Sequence, residues 1–397
     1  MKRLYMNDRN IVQAFEMSEY RARLDKVRGL MSNAGMDALV VISQANQCYL
    51  LGYDSFSGDE PQAVLVTLDD DPYFILRKMD ADAAAEAGCW LPRDRVIAYA
   101  ESYVAGTDEA SAWEVIGQFV KGKVGASARI GVEVSGLGVF SYPKLVGALG
   151  VQEPIDASDL VATCRLIKSE RELLYMTEAA AIADRAILAG VDKIAAGVRH
   201  CDAAAAIMSA LCAGTESIAG GPPPSPPFIR GGKLAIAPHQ TFMDDIFVAG
   251  NQYYLGPIAA SRHRYVAPVT RTAHLGPVPP RRKKQHEGVL AGHQAALDAL
   301  RPGATCAHVA RAFQAAIRPY GLTKESRLGY SVGLDWMDGP SLGTNNDTEI
   351  VANMTFLIHL GFYEPGELYF LSDTVRITDS GPELMSKFPR ILFERPV

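Results

Sequence analysis

The pattern of the chain changes at residue 165, and that change bounds the fold more tightly than any other feature. Before it, short apolar runs alternate with stretches of helical character. The runs 37-DALVVIS-43, 62-QAVLVTL-68, 73-YFIL-76, 95-RVIAYA-100 and 129-RIGVEV-134 read as strands, and 18–34, 78–88 and 108–122 as helices. In the first helix Ser18 is placed to cap, Tyr20, Leu24, Val27, Leu30 and Met31 share a face, and Gly35 ends it. Such alternation predicts an α/β domain to about residue 160. From 165-RLIKSERELLYMTEAAAIADRAI-187 the pattern is different: Ser169 and Glu172 form a capping-box pair ahead of a long Ala-rich helix. Further helices are expected over 201–213, about 283–300 and 307–319, and two strands, 354-MTFLIHLGFY-363 and 368-LYFLSDTVRITD-379, close the chain. Helices wrapped on an antiparallel sheet fit this half, an α+β domain. The expected boundary puts one domain at 1–163 and the other at 164–397.

Two proline positions make a finer demand. In 253-YYLGPIAA-260 and 265-YVAPVTRTAHLG-276 the apolar, β-branched character is that of strands, yet Pro257 and Pro268 interrupt them. Proline has no N–H for a ladder, so the sheet must be bulged or at an edge there. Ahead of these ribbons, 220-GGPPPSPPFIRGG-232 packs five prolines and four glycines into thirteen residues and reads as a loop within the domain.

Composition narrows the partners. A length of 397 residues suits two domains, and a net charge of −6 argues against nucleic acid or an anionic membrane surface. No apolar run approaches the roughly 20 residues that span a bilayer, and MKRLYMNDRNIVQAFE lacks the apolar core of a signal peptide. Cysteines at 48, 89, 164, 201, 212 and 306 form no C-x-x-C pair, which fits a reducing compartment. A cytoplasmic protein acting on a small molecule is expected.

The segments 18-SEYRARLDKVRGLMSNAGMDALVV-41, 164-CRLIKSERELLYMTEAA-180, 265-YVAPVTRTAHLG-276, 302-PGATCAHVARAF-313, 329-GYSVGL-334 and 353-NMTFLIHLGFY-363, in this order and spacing, resemble the creatinase / aminopeptidase P / prolidase family. The resemblance covers nearly the whole chain. It implies an α/β creatinase-type N-terminal domain followed by an α+β pita-bread C-terminal domain. The stretches 52-GYDSFSGDEPQAVLV-66, 237-APHQTF-242, 262-RHRYVAPVTRT-272 and 325-ESRLGYSVGL-334 look similar to its ectoine hydrolase branch, which like creatinase acts on small non-peptide substrates.

By that resemblance, the metallopeptidases' ligand positions Asp, Asp, His, Glu and Glu fall here on Pro257, Pro268, Tyr330, His359 and Ser372, with Asp373 beside the last. Divalent ions need converging oxygen and imidazole donors, and proline supplies none, so no metal and no cofactor are expected. His239 matches the position of creatinase's catalytic His and is the expected base. Asp373 and Asp245 are the expected assisting acids. Tyr330, His359, Arg264, Phe56 and Asp244 are the expected substrate contacts, Arg264 as a carboxylate clamp and Phe56 as a stacking ring on the 53–61 loop. In the family such a loop closes the partner subunit's site, which implies a homodimer. The ectoine hydrolases' Glu falls on Pro257 and their His after Arg-Tyr on Val266, two departures from the branch. The resulting expectation is a metal-independent hydrolase of a C–N bond in a small amidine, guanidine or cyclic amide. The alternatives are a non-catalytic binding or regulatory homologue and a metal-dependent Xaa-Pro dipeptidase.

Overall fold

The computed structural model describes residues 5–6, 12–55, 57–105, 110–125, 127–232, 235, 239–364 and 367–397. They form two compact units, 1–165 and 166–397.

In the first unit the described elements run α1 (Met17–Asn33), β1 (Ala38–Val41), α2 (Gln44–Leu51), β2 (Ala63–Thr67), β3 (Tyr73–Arg77), β4 (Val96–Tyr99), α3 (Ala112–Val124), β5 (Ile130–Val132), α4 (Tyr142–Leu149) and β6 (Ile155–Asp156). Their six strands lie in the order β4-β3-β2-β1-β5-β6. Tyr20, Leu24, Val27 and Met31 of α1 are buried, as their spacing predicts. The helix starts at Met17 with Glu16 as its cap, so Ser18 lies inside the first turn and is not the cap. Ser111 does cap α3, in a capping box with Glu114. The stretch read as one helix over 78–88 is an α-helix only to Ala83, and a π-helical turn completes it.

Glu133 fastens the start of α2. Its carboxyl accepts from the backbone N–H of Ile42 (2.6 Å) and Ser43 (2.7 Å) and from the Asn46 amide (2.5 Å). Burial nevertheless pushes it up to about 7.

The second unit begins with α5 (Glu170–Asp192), capped by the Ser169–Glu172 box that its sequence predicts, and α6 (His200–Ala213). Then come β7 (Ile229–Gly231), β8 (Gln252–Ile258), the ribbon β9 (Ser261–Arg262) and β10 (Tyr265–Val266), and β11 (Val269–Leu275). Helices α7 (Pro280–Ala299) and α8 (Cys306–Ile317) precede β12 (Gly329–Ser331), β13 (Ser341–Leu342), β14 (Thr355–Glu364), β15 (Glu367–Thr378), β16 (Gly381–Leu384) and β17 (Phe393–Arg395). Among the described residues one nine-stranded sheet runs β13-β12-β14-β15-β11-β8-β7, with β16 added on β15 and β17 on β11.

Both prolines sit where the ladder is interrupted. The β8–β11 register slips between Leu255 and Ile258, so Pro257 lies in a bulge. Gly256 precedes it at φ +129, where an added Cβ would lie 2.8 Å from the Val269 carbonyl oxygen. Pro268 stands between β10 and β11, so the 265–276 segment is broken there instead of being one strand.

Period-two alternation gives the sheet two faces. Phe356, Ile358, Leu360 and Phe362 of β14 join Tyr369, Leu371, Val375 and Ile377 of β15 in the core beneath α7 and α8. Phe370 and Leu368 cluster on the opposite, inner face with Tyr254 of β8 and Ala235.

Candidate functional site

The inner face gathers three of the five positions at which the resemblance puts metal ligands. His359 and Ser372 are direct cross-strand partners, with His359 Nδ1 2.9 Å from Ser372 Oγ. Tyr330 pairs across from Leu357, and its ring centroid is 6.4 Å from that of His359. Gly329 lets β12 come this close, because a Cβ there would sit 2.0 Å from the Leu357 carbonyl oxygen. The Trp336 indole N–H donates to the Tyr330 hydroxyl at 2.9 Å, which leaves that hydroxyl its own proton to donate. Phe370 lies beside His359 at 5.0 Å and Tyr254 beside Phe370 at 4.7 Å.

Charge on this face is positive. The His359 imidazole is pushed down to about 3, by burial first and then by Lys324, His239 and Arg327. The ring is therefore neutral at physiological pH, and His239 lies near enough to act on it. His239 itself is exposed in a turn. The Lys324 ammonium donates to the Gly361 carbonyl (3.2 Å) and to Ser326 Oγ (2.9 Å), and burial pushes it down to about 8. The Arg327 guanidinium lies 4.7 Å over the Tyr330 ring. Burial raises the Tyr330 phenol, so it stays protonated at neutral pH.

These donors do not fit a dinuclear metal centre. Pro257 and Pro268 have no side-chain donor. The Ser372 hydroxyl is engaged with His359, whose Nδ1 is thereby occupied. Lys324 and Arg327 lie near the imidazole at 359 and disfavour a second positive charge there. Among the described residues no cluster of three or more His, Cys, Asp or Glu side chains could hold an ion.

Several expected site residues lie elsewhere. Asp373 follows Ser372, so the strand turns it to the helix-backed face. There it is fully buried, with Oδ1 2.7 Å from Arg271 Nη2 and Oδ2 3.2 Å from His293 Nε2. Burial alone would raise its carboxyl, but Arg271 and His293 outweigh that and hold it below the usual range. It is a structural anion, not an assisting acid. Asp245 is exposed, and its Oδ1 accepts from the next backbone N–H, Ile246, at 2.8 Å. Its carbonyl accepts from His200 N, which ties this turn to the start of α6. Asp244 is likewise exposed, with Arg199 as the cation it acts on. One isolated bridge, Arg199 to Ile246, follows the two aspartates. Both aspartates act around the start of α6, in contrast to the expectation for both. Arg264 sits at the tip between β9 and β10 with φ +73 and is paired with Asp335 at 3.7 Å, so its charge is met within the protein. Arg262 likewise pairs with Glu178 at 3.2 Å. Phe56 lies outside the described residues. The structure brings together His239, Tyr330 and His359 and adds Ser372, Tyr254, Trp336, Lys324, Arg327 and Arg230. Of these, Arg230 had a legible signal: it is the single charge in the apolar run 228-FIRGG-232.

Comparison with known proteins adds the lineage. Residues 175–379 match the model of metallopeptidase family M24, and residues 23–167 that of the creatinase/prolidase N-terminal domain. An uncharacterized hydrolase/peptidase of Sinorhizobium fredii is 36% identical over 384 residues, 96% of this chain and 97% of the relative. The ectoine hydrolase of Halomonas elongata is 31% identical over 392 residues, 96% and 98% of the two chains. The crystal structure of a dipeptidase from Mycobacterium ulcerans superposes with a TM-score of 0.81 at 24% identity, covering 96% of this chain and all of that one, a likeness of fold.

Proposed function

From the premise that this chain belongs to metallopeptidase family M24, with the creatinase-type N-terminal domain and pita-bread C-terminal domain of that hydrolase family, we propose that it hydrolyses a C–N bond of a small non-peptide substrate without a metal. The observation that carries this reading is the residue set at the five ligand positions: two prolines, a phenol, a neutral imidazole and a hydroxyl stand where two ions would need acidic ligands. Similarity to an ectoine hydrolase supports a small amidine, guanidine or cyclic amide.

In this reading His239 takes a proton from water, the water oxygen bonds to the C–N carbon, and the same proton passes to the departing nitrogen. His359, kept neutral by burial and neighbouring cations, and Tyr330, with its own proton free, align the substrate by hydrogen bonds. The protein acts as a cytoplasmic homodimer in this reading, a state that light scattering would measure. The decisive experiment incubates chelator-treated, metal-analysed protein with small amidines, guanidines and lactams beside Xaa-Pro dipeptides. Turnover of a non-peptide substrate by metal-free protein is expected, with His239→Ala lowering it roughly 100-fold or more. Dipeptide cleavage that appears only with added divalent ion would overturn the reading, and ligand binding with no turnover would turn it toward a binding protein.

A further inference from the structure

Arg230 is buried on the inner face with part of its guanidinium unmatched. It lies in β7, is 2% exposed, and stands directly across from Tyr254. Directly opposed residues in an antiparallel pair share a face. Tyr254 meets Phe370 and Phe370 meets His359, so Arg230 belongs to the same surface as the imidazole. Its Nε donates at 2.8 Å to the carbonyl of Gln240, the residue after His239. Among the described residues its Nη1 has no hydrogen-bond partner. Burial disfavours its charge, and among the described residues Tyr254 is the side chain that offsets this. The undescribed residues between Gly232 and His239 are Lys, Leu, Ile, Ala and Pro, none of them acidic.

Withdrawing a guanidinium from water without an anion is unfavourable, and proteins pair such groups or coordinate them. The other cations near His359, Lys324 and Arg327, give the same face a positive field. A planar guanidinium matches the carboxylate of an organic substrate through two parallel hydrogen bonds.

We propose that Arg230 is a substrate-binding residue that receives a carboxylate, so that the ligand of the inner face is a small carboxylic acid. This deepens the hydrolase reading and rests on it for what happens to the ligand, not for whether the ligand binds. The carboxylate completes Arg230 at the β7 edge, and the rest of the molecule extends past Tyr254 toward His239 and His359.

The test uses the full-length protein and matched probes: pyroglutamate against 2-pyrrolidone, and guanidinoacetate against methylguanidine. Thermal stabilisation by the acids and not by their neutral partners is expected. Arg230→Gln should abolish that preference, and Arg230→Lys should keep it with apparent affinity at least tenfold weaker. A ligand-free readout guards against misfolded variants: Arg230→Met should raise the melting temperature, because it removes an uncompensated buried charge. Equal responses to acid and neutral probes, no response to either acid, an unchanged preference in Arg230→Gln, or a lowered melting temperature in Arg230→Met would each overturn the proposal. His239→Ala separates the two readings. An acid preference kept by a protein that turns nothing over leaves the anion site standing and removes the hydrolase. Metal-free turnover of a neutral amidine without acid preference does the reverse.

Discussion

A single residue step separates an inner-face group from a structural one in β15. Ser372 reaches His359, while Asp373 beside it is locked to Arg271 on the far side of the sheet. Asp373→Ala is therefore expected to cost about 3–5 kcal/mol of stability by stranding Arg271. Urea denaturation would measure that loss, and the kcat of the remaining native fraction should stay near wild type. A wild-type stability with kcat abolished would restore Asp373 to the chemistry. His359 makes a second expectation. Its folded value of about 3 lies below its ordinary 6.5, so the unfolded chain takes up the proton first as pH falls. Stability is complete above about 6.5 and drains between there and about 3. Replacement by Asn should flatten that part of the pH–stability curve, followed by denaturation midpoints at pH 4 and pH 7. The sequence could point to position 359 through its family alignment. It could not tell Ser372 from Asp373 by chemistry, because a strand's period of two, not residue type, assigns the face. Asp244 and Asp245 were out of reach for another reason: the Asp245 carbonyl accepts from His200 at the start of α6 and Asp244 acts on Arg199 beside it, tertiary relations with no local signature.

Elements carry their own signals unevenly. The Ser169–Glu172 capping box placed the start of α5 in the sequence and in the structure, and Ser169→Ala is expected to cost about 1 kcal/mol, read as a lowered denaturation midpoint. Ser18 had the right residue type for the same role two residues too late, because Glu16 adopts the extended capping conformation ahead of it. The prolines were legible as interruptions, and the bulge at Pro257 and the break at Pro268 satisfy them. What the sequence could not show is the buried carboxyl that organises α2. Glu133 is pushed from its ordinary 4.5 to about 7, so the folded state holds its proton longer than the unfolded chain. Its contribution has the opposite sign to that of His359: stability falls as pH rises from about 4.5 to about 7. Glu133→Gln should remove that fall. Steeper loss above pH 5 in the variant would count against it.

At the scale of the whole molecule, an average hides the chemistry. The net charge of −6 suggests an acidic protein, yet the inner face of the sheet carries Arg230 across from Tyr254 and has Lys324 and Arg327 near His359. Scaffold and cargo preference are thus written separately: order and spacing of apolar segments specify the fold, while a handful of substitutions on one face reset what it holds. Protein grown with excess cobalt, manganese or zinc is expected to carry well under one equivalent of ion after desalting, and added ion should leave its melting temperature unchanged. Two bound equivalents by elemental analysis would contradict the donor set. Among the described residues no helix is long and apolar enough to cross a membrane.

The contact between Trp336 and Tyr330 has an optical consequence. The chain holds three tryptophans, at 90, 113 and 336, and the last is the one in the second unit. Its indole N–H ends on the phenol oxygen that faces any occupant of the inner face. A molecule that draws on that phenol alters the polarity and hydrogen bonding around one emitter, so the protein carries its own fluorescent gauge of occupancy.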